Sequence, residues 1–232
     1  DYFYLRSSRT NIINTKAIMT YSIKEIFYTL QGEGANAGRS AVFCRFTGCN
    51  LWSGYEADRA DAICNFCDTD FVGVDGANGG KFNKATELAE TVDKIWNTHV
   101  TNSTNKFIVC TGGEPLLQLD TKLIQAFHEL SFEVAVETNG TQPAPSNIDW
   151  ICVSPKTKVS DLLLTSGDEL KFVYPQEIIQ PEQFENFEFD LFYLVPMDGK
   201  DKQKNTQLSA EYCLKNPKWK LNLQMHKLIG LP

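Results

Sequence analysis

Histidine is scarce in this 232-residue chain, with only three. No stretch offers the roughly 20 consecutive apolar residues that a membrane span needs, or the pattern of a signal peptide. A basic surplus is also missing. The net charge is −7 and the pI is near 5.0, which argues against a general surface for nucleic acid or anionic membrane, though local cations can still bind a small anion. The cysteines number seven, an odd count, so a closed disulfide framework is not expected; clustered thiols suit a reducing cytoplasm, the expected location. No internal repeat, low-complexity tract or convincing linker divides the sequence. At 42% hydrophobic residues the chain can bury a substantial core, as one large domain or two small ones.

What is present is a cysteine-bearing stretch around which the rest is organised. Cys49, Cys64 and Cys67 are spaced C-x14-C-x2-C, and Asp68, Thr69 and Asp70 follow. The C-x2-C turn lets two thiolates converge on one inorganic centre, with Cys49 reaching in from the far end of a loop. Three thiolates are an incomplete set. Structural zinc closes with four ligands, and a [4Fe–4S] cluster held by protein alone takes four cysteines. A cubane on three cysteines keeps one iron open to a small molecule. On the cysteines alone a zinc site with Cys44 as fourth ligand, C-x4-C-x14-C-x2-C, fits equally well. Against it, Cys44 alternates with Phe43 and Arg45 in a strand pattern, where a cysteine more often packs in the core.

Residues 1–18 show neither helical nor strand periodicity and precede Met19; they read as an upstream extension or artificial lead. Strands are predicted at residues 23–30, 41–47, 107–110, 132–137, 150–153, 169–173, 191–195 and 219–223. Helices are predicted at residues 84–99 and 119–130 and around 209–214, and the glycine-rich residues 73–80 read as a turn. Polar, glycine- or proline-bearing clusters recur just after the strands, at the edge where parallel α/β sheets and barrels build their sites. The chain is short for an eight-fold barrel of about 250 residues, and several helices are missing. The expected fold is α/β, an incomplete, splayed (β/α) TIM-like barrel of about six parallel strands with fewer helices.

Three cysteines ending C-x2-C, then a strand running into Gly112-Gly113-Glu114-Pro115, resemble the radical S-adenosylmethionine (SAM) superfamily, whose usual spacing is C-x3-C-x2-C. The 14-residue spacer departs from that spacing and resembles one branch of the 7-carboxy-7-deazaguanine synthases. The segments FYTLQGEG, FCRFTGCNLW, CDTDF, TGGEP, ETNG, SPK, PMDG and HKLIGLP continue the likeness, in order, from Met19 to Pro232. Each is weak alone; together they are specific.

The resemblance implies a radical lyase that turns 6-carboxy-5,6,7,8-tetrahydropterin into 7-carboxy-7-deazaguanine with release of ammonia, in queuosine and 7-deazapurine biosynthesis. It implies a [4Fe–4S] cluster, SAM used catalytically, and Mg²⁺. In that family an electron passed to the cluster cleaves SAM; the 5′-deoxyadenosyl radical takes hydrogen from C6 of the pterin, the ring contracts, and SAM is regenerated. Carried over residue by residue, Cys49, Cys64 and Cys67 bind the cluster and Thr69 the Mg²⁺. Phe66, Cys67, Asp68, Gly113, Glu114, Ser154, Pro155, Lys156, Pro196, Met197 and Asp198 fall to SAM. Leu30, Gln31, Gly32, Arg45, Thr111, His226 and Pro232 fall to the pterin. Arg45, with His226 as partner, forks onto the pterin carboxylate, and Arg45 and Thr69 are the expected catalytic pair. The α-carboxylate of Pro232 accepts from the pterin amine, so the tail closes the pocket of one domain, residues 19–232.

Plainer readings stand beside several of these. Thr69 fits an ordinary turn, Glu114 favours a helix start, and Glu137 reads as readily as a structural strand-end carboxylate as a ligand. Val195 stands where several relatives carry Gln, so a side-chain hydrogen bond to SAM is expected to be lost. The resemblance further implies a homodimer and a one-electron donor of flavodoxin or ferredoxin type, with neither nucleic acid nor membrane as partner. Two rivals remain: a SAM-radical activase acting on a protein glycine, and a zinc-stabilised binding module without catalysis.

Overall fold

A nine-stranded sheet carries the fold in this computed structural model, which describes residues 20–101 and 104–231. The expectations for residues 1–18 and for Pro232 lie outside the described residues. The strands are β1 (Tyr21–Leu30), β2 (Ser40–Phe46), β3 (Gly80–Phe82), β4 (Lys106–Gly112), β5 (Phe132–Thr138), β6 (Trp150–Val153), β7 (Ser166–Tyr174), β8 (Glu188–Pro196) and β9 (Trp219–Leu221). Their spatial order is β3-β1-β2-β4-β5-β6-β7-β8-β9. β1 is antiparallel to both its neighbours, and the run from β2 to β9 is parallel throughout. Seven parallel strands therefore stand where about six were expected. Among the described residues β3 and β9 are the two edges of the sheet, so the barrel is incomplete.

Side-chain alternation sorts the strands into an outer and an inner face. β4 is buried at six of its seven positions, as a parallel strand covered on both sides requires. Its Ile108 and Cys110 join the outer core, beneath α1 (Ala85–His99) and α2 (Thr121–Glu129). Phe107 and Val109 face the other way and meet Ala41 and Ala135. α1 forms because Leu88, Val92 and Trp96 recur on one face. α2 is started by Asp120, whose carboxylate accepts from the Leu123 N–H at 2.9 Å. A second outer core gathers Phe172, Phe184, Phe192, Leu194 and Trp219, against which α3 (Lys202–Lys215) lays Tyr212 and Cys213. Between β5 and β8 the described connections carry only short 3₁₀ turns, Val159–Asp161 and Pro181–Phe184, in place of helices.

Three details differ from the expectations. β3 emerges from the end of the glycine-rich stretch and pairs with β1 through Tyr21, Ser22 and Ile23. α3 begins at Lys202 rather than near residue 209, because its first half carries no apolar stripe to be read. The final segment contains a short helix, α4 (Met225–Ile229).

Candidate active site

The C-terminal ends of β2, β4, β5, β6 and β8 bring Arg45, Thr111, Glu137, Ser154 and Pro196 to one edge of the sheet, the functional end of a parallel barrel. The loop between β1 and β2 comes from elsewhere. Leu30 pairs with Ser40, at the opposite end from Arg45, yet the loop beyond it folds back across the inner face. Gln31 Nε2 donates to Glu137 Oε1 at 3.1 Å, and the Ala35 N–H donates to Glu169 Oε2 at 2.8 Å. Gly34, at φ +71°, makes that approach possible: a Cβ there would lie 2.3 Å from Glu169 Oε1. Between the loop and the strand ends lies a cavity of about 500 Å³.

One wall is the cysteine loop. Cys49, Cys64 and Cys67 all border the cavity. Cys49 Sγ accepts from the Leu51 N–H at 3.4 Å, and the Cys67 thiol points to the Thr69 carbonyl at 4.0 Å. A hydrogen bond from Cys64 holds the Cys67 thiol down at about 6 and pushes Cys64 itself up, so Cys67 is close to the thiolate form that binds metal. Gly113 packs on this wall: a Cβ would sit 2.0 Å from the Gly48 carbonyl oxygen and 3.1 Å from Cys49 Cβ. The 14-residue spacer is folded rather than slack. Its 3₁₀ turn, Glu56–Asp61, delivers Arg59 behind the C-x2-C turn, where Nη1 donates to the carbonyls of Asn65 at 2.9 Å and Cys67 at 3.0 Å. Arg59 Cζ lies 4.1 Å from the centroid of the Trp52 ring, and Glu56 pairs with the same guanidinium.

These residues fit a three-thiolate cluster and not the four-thiolate zinc site. Cys44 is fully buried in the outer core, turned away from the cavity. Among the described residues no three His, Cys, Asp or Glu side chains close on a point as a single bound ion requires. The three thiols border an open volume instead, where a larger inorganic group has room.

The opposite wall is polar and buried. Lys171, on the inner face of β7, is only 6% exposed and bridges Glu33 at 2.7 Å and Glu137 at 3.0 Å. Burial by itself would raise the Glu33 carboxyl; the Lys171 charge and the hydrogen bonds from Lys171 and Gln224 outweigh it and hold it at about 2. Burial likewise disfavours the Lys171 ammonium, but the surrounding carboxylates of Glu137, Glu33 and Glu169 keep it charged, well above its ordinary value. Arg45 donates from Nε to Glu25 Oε1 at 2.7 Å. Beside it Phe27 and Phe43 stack, centroids 5.6 Å apart, and give this side an apolar surface. The Thr111 hydroxyl donates to Glu137 Oε2 at 3.4 Å.

The C-terminal segment covers this wall. Met225 N–H donates to the Gly32 carbonyl at 3.0 Å, and the His226 ring lies so close to Gly32 that a Cβ there would be 2.0 Å from Nδ1. Burial lowers the His226 imidazole, favouring its neutral form. Lys227 Nζ pairs with Asp68 and Asp198. Asp198 is held down at about 2, chiefly by that hydrogen bond from Lys227.

Of the residues singled out in the sequence, Leu30, Gln31, Gly32, Arg45, Phe66, Asp68, Thr69, Thr111, Gly113, Ser154, Lys156, Pro196, Met197, Asp198 and His226 border the cavity with the three cysteines, and Val195 joins them. Two do not. Glu114 is fully buried, and its carboxylate is engaged by the N–H groups of Leu116 at 3.0 Å and Asn139 at 2.8 Å and by the Thr138 hydroxyl at 2.8 Å. It clamps the turn after β5 beneath the cavity, which is its helix-start reading extended. Pro155 is also buried outside the lining, its carbonyl accepting from Gln176 Nε2 at 3.2 Å. Pro232 lies outside the described residues. Glu33 and Lys171 were missed in the sequence. For Lys171 the available signal was charge at Glu169 and Lys171 alternating with Leu170 and Phe172 along a run buried at all four positions.

No family model matches the chain. Curated relatives do. It is 58% identical over 214 residues to a 7-carboxy-7-deazaguanine synthase of Caulobacter vibrioides, 56% over 213 residues to one of Bradyrhizobium diazoefficiens, and 53% over 214 residues to one of Burkholderia multivorans. Each match spans 92% of this chain and 100% of the relative. The chain belongs to the 7-carboxy-7-deazaguanine synthase family. The crystal structure of QueE from Escherichia coli is similar in fold, with a TM-score of 0.65 at 24% identity over 90% of this chain and 95% of that one. Its likeness supports the incomplete barrel for this member of the 7-carboxy-7-deazaguanine synthase family. Among the described residues no helix is long and apolar enough to cross a membrane.

Proposed function

We propose that this chain is a cytoplasmic radical SAM lyase that converts 6-carboxy-5,6,7,8-tetrahydropterin to 7-carboxy-7-deazaguanine, releasing one ammonia, in queuosine and 7-deazapurine biosynthesis. The observation that carries this reading is a single cavity with three thiols on one wall and a buried Glu33–Lys171–Glu137 network with Arg45 on the other. Bound to Cys49, Cys64 and Cys67, a [4Fe–4S] cluster with SAM supplies a carbon-centred radical able to remove hydrogen from an unactivated C–H bond. The chain's own residues orient the pterin for that step. Arg45, released from Glu25, forks onto the substrate carboxylate with His226 beside it. Glu33, kept ionised by Lys171, and Glu137 accept from the amine and ring N–H groups of the pterin edge, and Gln31 and Thr111 complete that edge.

Thr69 offers a hydroxyl oxygen to Mg²⁺, which needs few protein ligands when substrate oxygens and water supply the rest. Ser154, Lys156, Pro196, Met197 and Asp198 line the SAM side, with Phe66 and Asp68 facing them from the cysteine loop. The C-terminal segment excludes water from the pterin. Substrate and product differ by one NH₃ with no net oxidation, so SAM is recovered after each cycle. The enzyme works as a homodimer fed by a flavodoxin- or ferredoxin-like donor, both carried over from the family resemblance.

The test is anaerobic turnover of 6-carboxytetrahydropterin by the reconstituted chain with SAM, reductant and Mg²⁺, beside Cys64→Ala. Product lighter by one ammonia, formed by the unmodified chain alone, is the expected outcome. SAM cleavage with the pterin intact keeps the radical chemistry, removes the substrate assignment and brings back the glycine activase. Protein that takes up zinc and stays colourless returns the binding-module rival.

A further inference from the structure

Lys227 serves none of the roles above, yet its ammonium joins separate parts of the cavity wall. Nζ lies 2.7 Å from Asp68 Oδ2, one residue past Cys67, and 2.6 Å from Asp198 Oδ2, in the loop after β8. Asp198 also meets Lys202, at the start of α3, at 3.2 Å. Among the described residues little else docks the segment that carries Lys227. No residue of α4 is buried, and Leu228 and Ile229 are 67% and 53% exposed. The remaining anchors are the half-buried His226 ring against Gly32 and a few hydrogen bonds, among them Gln224 Nε2 to Glu33 Oε1 at 2.9 Å and Met225 N–H to the Gly32 carbonyl. A segment with so little buried apolar area sits at the low-stability end of a structure and opens locally.

An isolated exposed ion pair contributes little. Here one ammonium is shared by two carboxylates on different loops, so it docks well only when both loops are in place. His226, the next residue, rides on the same short helix. We propose that Lys227 is a positioning residue that straps the C-terminal segment to the SAM-side carboxylates, so that filling the SAM side and closing over the pterin become one coupled event. This rests on the function proposed above. SAM seated against Asp68 and Asp198 orders both loops; Lys227 then finds its two partners fixed, and His226 is brought onto the pterin carboxylate. The coupling is reciprocal, so each ligand tightens the other by the same factor.

The experiment uses the cluster-reconstituted chain without reductant, so that nothing turns over. Calorimetric titration with 6-carboxytetrahydropterin, with and without SAM, is run on the unmodified chain, Lys227→Met and Lys227→Arg, alongside amide hydrogen exchange of residues 222–231. In the unmodified chain SAM should tighten pterin binding about tenfold and slow exchange of residues 222–231. In Lys227→Met the SAM-dependent factor should fall close to one and residues 222–231 should exchange rapidly with or without SAM, while β4 stays protected; Lys227→Arg should restore both. A Lys227→Met chain that keeps the full coupling and the SAM-induced protection overturns the strap. Should the unmodified chain bind SAM but no pterin, the functional reading fails. Exchange alone then decides the strap: it stands if SAM protects residues 222–231 only when Lys227 is present, and falls otherwise.

Discussion

Replacing Lys171 by Met leaves two carboxylates, Glu33 and Glu137, facing each other in a buried site with no cation between them. Removing one partner of a buried ion pair costs about 3–5 kcal/mol. The Glu33 carboxyl points the same way: its descent from 4.5 to about 2 on folding, which Lys171 drives together with Gln224, is worth on the order of 3 kcal/mol at neutral pH. For a chain of this size that loss lowers Tm by roughly 6–20 °C.

The pH dependence carries a sign. In the unmodified chain Glu33 is depressed, so its contribution is complete above its unfolded value of 4.5 and is lost as pH falls through about 2. In Lys171→Met burial, opposed chiefly by the Gln224 hydrogen bond, raises the Glu33 carboxyl, so the variant regains stability as pH falls and Glu33 takes up a proton. Thermal melting of both proteins at about pH 8 and about pH 5 should show the larger deficit at the higher pH. A variant that melts with the unmodified chain, or one whose deficit grows on acidification, would refute the buried network as a source of stability.

Four further outcomes follow from the geometry. Gly32→Ala puts a Cβ 2.0 Å from His226 Nδ1; the ring must swing away, so KM for the pterin should rise about tenfold, measured by steady-state kinetics, with melting nearly unchanged because only a half-buried side chain moves. Gly113→Ala meets backbone, the Gly48 carbonyl at 2.0 Å, so iron content after reconstitution should drop along with Tm. Arg59→Gln removes the donor to the Asn65 and Cys67 carbonyls, and the cluster should bleach faster in air, followed by absorbance, with β-sheet circular dichroism preserved. Glu114→Gln places an amide donor where N–H and O–H groups already donate, costing about 1–3 kcal/mol in unfolding experiments, while SAM affinity stays close to normal; a large loss of SAM affinity without destabilisation would instead make Glu114 a ligand contact.

The parallel strands were legible because buried strands announce themselves: the β-branched and aromatic run of β4 fits no half-exposed helix. α1 and α2 were equally plain from their apolar spacing. β3 was hidden by glycines, since an edge strand of three residues needs no hydrophobic alternation to pair with β1. The first half of α3, KQKNTQ, buries only Asn205 and so offers no periodic signal. In the site, the sequence marked which residues stand at strand ends and could not mark which way they point. TGGEP contains one carboxylate; only the fold turns Glu114 under the sheet, toward Thr138 and Asn139. The loop after β1 was recognised as close to a ligand, but its route from the far end of the barrel to Glu169 depends on strand order, which no local pattern encodes.

That route also sets an order of assembly. The cysteine loop is mostly local, spanning Cys49 to Cys67, and its Asn50 reaches Asn139 and Thr141 across 89 and 91 positions. The opposite wall of the cavity joins residues 134 positions apart at Ala35 and Glu169 and 191 apart at Glu33 and Gln224. Contacts of such sequence separation carry the largest loop-closure cost and form late. A nascent chain thus owns its thiols well before it owns a floor for the cavity, and iron delivery and completion of the substrate side are separable events in its synthesis.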